Sequence, residues 1–136
     1  MSARTWTIEL PYPSPPLSAN DRNNRHKTAR IRNDVMHTVH AYAIAEWLPR
    51  GLDRVGIVLH WRVSTKHRRD ADNLAPTLKA CVDGLTRGSR NHPGFGLTVD
   101  DDWQHVTSGW AIELDRTQPS GLWLEITDLS EQREAS

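Results

Sequence analysis

Hydrophobic and polar residues change their spacing several times along this 136-residue chain, and each change marks an element. Residues 54–64 alternate most cleanly, with Val55, Ile57, Leu59, Trp61 and Val63 set between Gly56, Val58, His60, Arg62 and Ser64. Successive side chains of a strand point to opposite faces, so this segment predicts a strand with one core face and one half-polar face. Residues 5–10 predict an opening strand, ended by the prolines at 11, 13, 15 and 16, which cannot donate to a ladder. Near the C-terminus, residues 104–115 (Trp110, Ile112, Leu114) and 121–129 (Leu122, Leu124, Ile126) flank Pro119-Ser120-Gly121 and predict a β-hairpin.

Two stretches carry the helical period instead. Ile31, Val35, Val39, Tyr42 and Trp47, with Met36, Ala43 and Ile44 beside them, predict a helix over 29–47 that Pro49 and Gly51 stop. His37 and His40 lie on its polar face and, with no third ligand nearby in sequence, read as solvated. Leu74, Leu78, Cys81, Val82 and Leu85 form the apolar face of a second helix. Pro76 lacks the N–H an interior position needs, so this helix begins near Pro76 and leaves Asp72 and Asn73 in a preceding turn; Gly84 weakens its middle and Gly88 fits its stop. Residues 17–28 read as a polar, basic loop with Asn20, Asn23 and Asn24 as turn formers, and 90–98 as the most loop-like segment. The expectation is one domain over 1–136 around a single core, with a frayed tail at 131–136.

Composition adds two constraints. A quarter of the residues are charged and 37% are hydrophobic, which suits a soluble globular chain and excludes wholesale disorder. The net charge of zero conceals an uneven distribution: residues 1–69 hold 12 Lys/Arg against 5 Asp/Glu, and 70–136 hold the reverse. Arg22, Arg25, Lys27, Arg30 and Arg32, then Arg62, Lys66, Arg68 and Arg69, form clusters that suit a polyanion, although a solvated surface is the plainer explanation. Cys81, the only cysteine, excludes an intrachain disulfide and a Cys-based zinc site, and reads as a small core residue. Without a long apolar run or a signal-peptide core, the expected location is the cytoplasm of a bacterium or phage-infected host, with no membrane partner.

The candidate chemistry centres on Asp70 and Asp72, which follow a basic run at the end of the best strand and precede a helix. If the backbone there stays extended, side chains two apart face one point. Two carboxylates about 4 Å apart repel by roughly 4 kcal/mol at an effective dielectric near 20, so such a pair needs a metal ion, a proton or cationic neighbours. Solvated charges near a helix start are the dull alternative. Lys79 and the later triplet Asp100-Asp101-Asp102 complete a set suited to a phosphodiester: carboxylates for Mg²⁺, a lysine for an oxygen of the phosphate, and arginines for the backbone.

Arg69-Asp70-Ala71-Asp72-Asn73-Leu74, then Lys79 and Asp83 four apart, Gly84-Leu85 and the aliphatic Val99 before Asp100-Asp101, resemble the RusA-type Holliday junction resolvases. Pro15-Pro16-Leu17-Ser18-Ala19-Asn20 is similar to the family's N-terminal Pro-Pro-Ser-x-Asn region, so the resemblance spans nearly the whole chain and is densest over 69–106. It implies a small α+β subunit, a mixed β-sheet with two helices packed against it, and a homodimer that resolves four-way junctions and other branched DNA by paired nicks. By matching position Asp70 and Asp72 would be metal ligands and catalytic residues, Lys79 the catalytic lysine, and Asp101 the third carboxylate, with Asp100 and Asp102 as alternative registers. The metal implied is Mg²⁺, with Mn²⁺ as the alternative, and Arg22, Arg25, Lys27, Arg30, Lys66, Arg68 and Arg69 would meet DNA. Ala75-Pro76-Thr77 is a departure: it looks like an insertion relative to the shortest family members, and Lys79 keeps its role only if the helix starts after it.

Three readings therefore stand: a metal-dependent endonuclease for branched DNA, a non-catalytic DNA-binding module of the same fold, and another metal-dependent phosphoesterase. Phe95 reads either as a wedge for the junction centre or, more plainly, as the anchor of its own loop. Trp103, beside the aspartate triplet, is the one tryptophan expected near a substrate.

Overall fold

The computed structural model describes residues 3–18 and 24–130; Asn20, Arg22, Asn23 and the tail 131–136 lie outside the described residues. The elements are β1 (Thr5–Glu9), α1 (Arg25–Ala45), β2 (Val55–Val63), a 3₁₀ turn (Ala71–Leu74), α2 (Ala75–Leu85), the short strands β3 (Gly88–Ser89) and β4 (His92–Pro93), β5 (Val106–Leu114) and β6 (Gly121–Asp128). Together they make a small α+β domain with a mixed sheet and two helices.

The strand with the cleanest alternation is central. The sheet order is β1-β6-β2-β5, with β6 antiparallel to both β1 and β2, and β5 parallel to β2. Ile57 stands between Ile126 and Ser108, and Leu59 between Leu124 and Trp110, so the middle of one face of β2 and β6 is aliphatic and buried. The expected hairpin between the last two strands does not form, because β2 lies between them. Their connection, residues 115–120, instead arches over the end of β2: Asp115 N donates to Val63 O, and Arg62 Nε donates to Pro119 O. Six residues containing a proline suit a step across one intervening strand better than a tight two-residue turn.

Both helices pack on each other and bury Val35, Met36, Val39 and Ala43 from α1 against Leu78, Cys81, Val82 and Leu85 from α2. Gly84 marks their closest approach, since a Cβ there would lie 2.7 Å from Met36 O. What the sequence suggests is a weak point in α2 is therefore a packing requirement. Burial pushes the Cys81 thiol up to about 12, which leaves it an inert core group.

Trp47, expected on the core face of α1, is 89% exposed. The helix ends two residues earlier, and Trp47 takes the left-handed position past the cap with φ 57°. Trp47 N donates to Ile44 O and Leu48 N to Ala43 O, the paired bonds of a Schellman motif, and the buried Leu48 fills the place expected of Trp47. Among the described residues no helix is long and apolar enough to cross a membrane.

Candidate active site

The first acidic pair sits where β2 hands the chain to α2. Asp70 is extended (φ −85°, ψ 122°), but Ala71–Leu74 close a 3₁₀ turn, so the backbone is not extended through Asp72. On a helix of three residues per turn, positions two apart diverge and positions three apart eclipse. Asp70 thus shares a face with Asn73 rather than with Asp72, and those two line one cleft. The expectation that Asp70 and Asp72 face a single point is corrected by this turn. Both residues are exposed, and among the described residues neither carboxylate is engaged in a hydrogen bond or ion pair.

The second acidic group is divided three ways. Asp100 faces Arg87 at 3.7 Å, Asp101 accepts from Lys79 Nζ at 3.2 Å, and Asp102 pairs with His105 Nδ1 at 2.5 Å. Of the triplet, Asp101 is the member that meets Lys79. The same ammonium donates to Asp83 at 2.9 Å, so it lies between two carboxylates brought together from α2 and from the segment before β5. The hydrogen bond with Asp83 raises the Lys79 pKa, more than offsetting its partial burial, and the ammonium stays charged at neutral pH. Burial pushes the Asp83 carboxyl up by more than that ammonium pulls it down. For Asp101, burial is outweighed by hydrogen bonding with Lys79 and Asp100, which holds its carboxyl below the usual range. Asp102 is held low by its bond with His105.

The insertion-like Ala75-Pro76-Thr77 forms the first turn of α2 instead of preceding it, with Pro76 inside that turn, so the helix start on which the family role of Lys79 depends is not met and any role for Lys79 rests on its own contacts. Lys79 therefore sits a full turn along the helix, roughly 10 Å along the axis from Asp72 at 1.5 Å per residue. Among the described residues no group of three or more His, Cys, Asp or Glu side chains is placed to hold one metal ion. The donors still fit a hard divalent cation in kind, because Mg²⁺ keeps several waters and is commonly held by one or two carboxylates plus substrate phosphate.

Sequence reasoning did not foresee the cleft beside Asp70. It has a volume of about 400 Å³ and is lined by Ser14, Pro15, Ser18, Trp61, Arg68, Arg69, Asp70 and Asn73. Its walls are pinned: buried Thr77 Oγ1 donates to Leu17 O and accepts from Leu17 N, fixing the proline-rich segment, and Trp61 Nε1 donates to Pro13 O. Arg69 donates to Thr65 O, His67 O and Thr65 Oγ1, and its guanidinium lies 5.3 Å from the centre of the Trp61 ring. The threonine of the insertion-like segment was the available signal, since a Thr on the apolar side of a helix needs a partner.

The remaining expected residues scatter. Arg25, Lys27 and Arg30 are exposed on the first turns of α1, with Asn24 as its N-cap accepting from Lys27 N; Lys66 and Arg68 are exposed in the loop after β2. Trp103 is 81% exposed beside the triplet. Phe95 is buried, with the Arg50 guanidinium 4.0 Å above its ring and His40 edge-on to it, so it anchors its loop and is unavailable as a wedge. His37 is not merely solvated: its Nε2 meets His92 Nδ1 of β4 at 3.0 Å. Compared with known proteins, the chain matches no family model, and no curated protein matches it.

Proposed function

We propose that this chain is a metal-dependent endonuclease of the RusA kind, acting on branched DNA as a homodimer. The observation that carries the reading is the meeting of Lys79 with Asp101 across 22 positions of sequence, about two helical turns along from Asp72. In this reading Asp70 and Asp72, which the 3₁₀ turn sets on different sides, would hold Mg²⁺ or Mn²⁺ mainly through water and substrate phosphate, and the ion when bound would supply Lewis acidity and a water of lowered pKa. Lys79, kept protonated by its two carboxylates, neutralises charge on a phosphate oxygen, while Asp83 and Asp101 fix where its ammonium points. Arg68 and Lys66, exposed beside the same segment, supply contacts to the DNA backbone.

Two features support an anionic partner and a second copy. The first turn of α1 holds Arg25 and Lys27 and no acidic residue, which sets cations against the positive end of the helix dipole at about 0.3–1 kcal/mol each. An approaching phosphate backbone removes that penalty. Among the described residues β5 is an edge strand of the sheet, nine residues long with a single charge, Glu113, and with Trp110 and Leu114 exposed, as suits a surface that pairs with its symmetry mate.

Asp70→Asn and Asp72→Asn are expected to abolish cutting of a four-way junction while leaving its binding intact, because each removes negative charge near phosphate. Full cutting by both variants would eliminate the proposal. The 3₁₀ turn that interrupts the extended backbone after Asp70 favours one competing reading, a DNA-binding module without catalysis. Tight junction binding by the wild type in Mg²⁺ without nicks would select it.

A further inference from the structure

Resting on the nucleic-acid reading, we propose that the cleft beside Asp70 receives one unpaired nucleotide of a DNA strand. At about 400 Å³ it is of small-ligand size and cannot admit a duplex, but it can admit a single nucleotide extruded from a branch. Its chemistry suits a base. Trp61 and Pro15 give it apolar lining, and beside the indole lies the planar Arg69 guanidinium, which three hydrogen bonds hold in place. Guanidinium planes and aromatic rings are the surfaces on which splayed bases stack, and stacking is worth about 1–3 kcal/mol per base. Asn73 and Ser14 add an amide and a hydroxyl to the lining, groups that can pair with the polar edge of a base, and exposed Arg68 adds a cation for the attached phosphate. Arg69 thereby acts as a rigid platform more than as a mobile phosphate clamp.

The cleft is also built in advance. Thr77 fixes Leu17 between two wall residues, Pro15 and Ser18, and Pro13 O fixes the Trp61 indole, so little ordering accompanies binding. Because Asp70 lines the cleft, the nucleotide it holds neighbours the phosphate presented to that carboxylate. An unpaired nucleotide would thus be part of what the site recognises, and a continuous duplex would lack it.

The test is equilibrium binding of a fluorescent single-stranded tetranucleotide in EDTA at low salt, where no cutting intervenes. Wild-type protein is expected to bind it, and Ser14→Trp, which fills the cleft from an exposed loop, to bind it at least tenfold more weakly with unchanged affinity for blunt duplex. Asn73→Ala, checked for an unaltered melting temperature, is expected to lose about tenfold and covers the case in which Ser14→Trp does not fold. No binding of the tetranucleotide by wild type, or equal binding by wild type and both variants, overturns the inference. A free deoxynucleoside monophosphate binding as tightly as the tetranucleotide would also overturn it, by assigning the cleft to a metabolite. Loss of junction cutting with this binding pattern intact would instead count against the nuclease alone.

Discussion

Asp83 and Asp101 share one ammonium but answer to pH in opposite directions. The carboxyl of Asp101 is held below its ordinary value, so its contribution to stability is complete above about pH 3.9 and drains away as pH falls through the depressed pKa. Burial has raised Asp83, so its ionisation works against the folded state as pH climbs past the raised pKa. Asp101→Asn should therefore cost up to about 1 kcal/mol at pH 7, in keeping with a partly exposed ion pair, and less at pH 3. Asp83→Asn should be near neutral at pH 7 although its bond to Lys79 is the shorter of the two. Urea unfolding of both variants at the two pH values checks the contrast, and equal losses at pH 7 would refute it.

At the scale of elements, the ends and crossings of the helices hold the sharpest expectations. Trp47 occupies a left-handed position that costs a side-chain-bearing residue about 1–2 kcal/mol, and at 89% exposure it returns little by packing. Trp47→Gly should stabilise the fold by about 0.5–1 kcal/mol after glycine's own entropy is counted, visible as a melting point higher by about 2–4 °C. Gly84→Ala should do the reverse, costing about 1–3 kcal/mol, because its methyl group meets the backbone of Met36 and not a side chain that can turn away. Thermal unfolding measures both. These elements also show what the sequence made legible. β1, β2, β5 and β6 lie within two residues of the expected segments, since alternation reports which face is buried. Strand order was not legible, because hydrophobic period is a local signal and the insertion of β2 between β5 and β6 is a long-range one. The Schellman end at Trp47 was hidden because glycine, the usual mark of that position, is absent.

For the whole molecule, the open question is whether two acidic groups set along one helix work as one site. The resemblance singled out Lys79 and Asp101, whose side chains are in contact, but that contact, the 3₁₀ turn after Asp70 and the cleft pinned by Thr77 depend on backbone geometry that no spacing rule shows. The uneven charge also belongs to this scale: a basic first half and an acidic second half fold into one domain, so most of its cations and most of its carboxylates are supplied by different stretches of chain. The most direct test follows a four-way junction labelled on each strand in turn, incubated with the purified protein in Mg²⁺ and in EDTA, and resolved on a denaturing gel. The account predicts paired nicks on opposing strands in Mg²⁺ alone, absent with Asp70→Asn; an uncut junction in Mg²⁺, or cutting that EDTA leaves untouched, would contradict it.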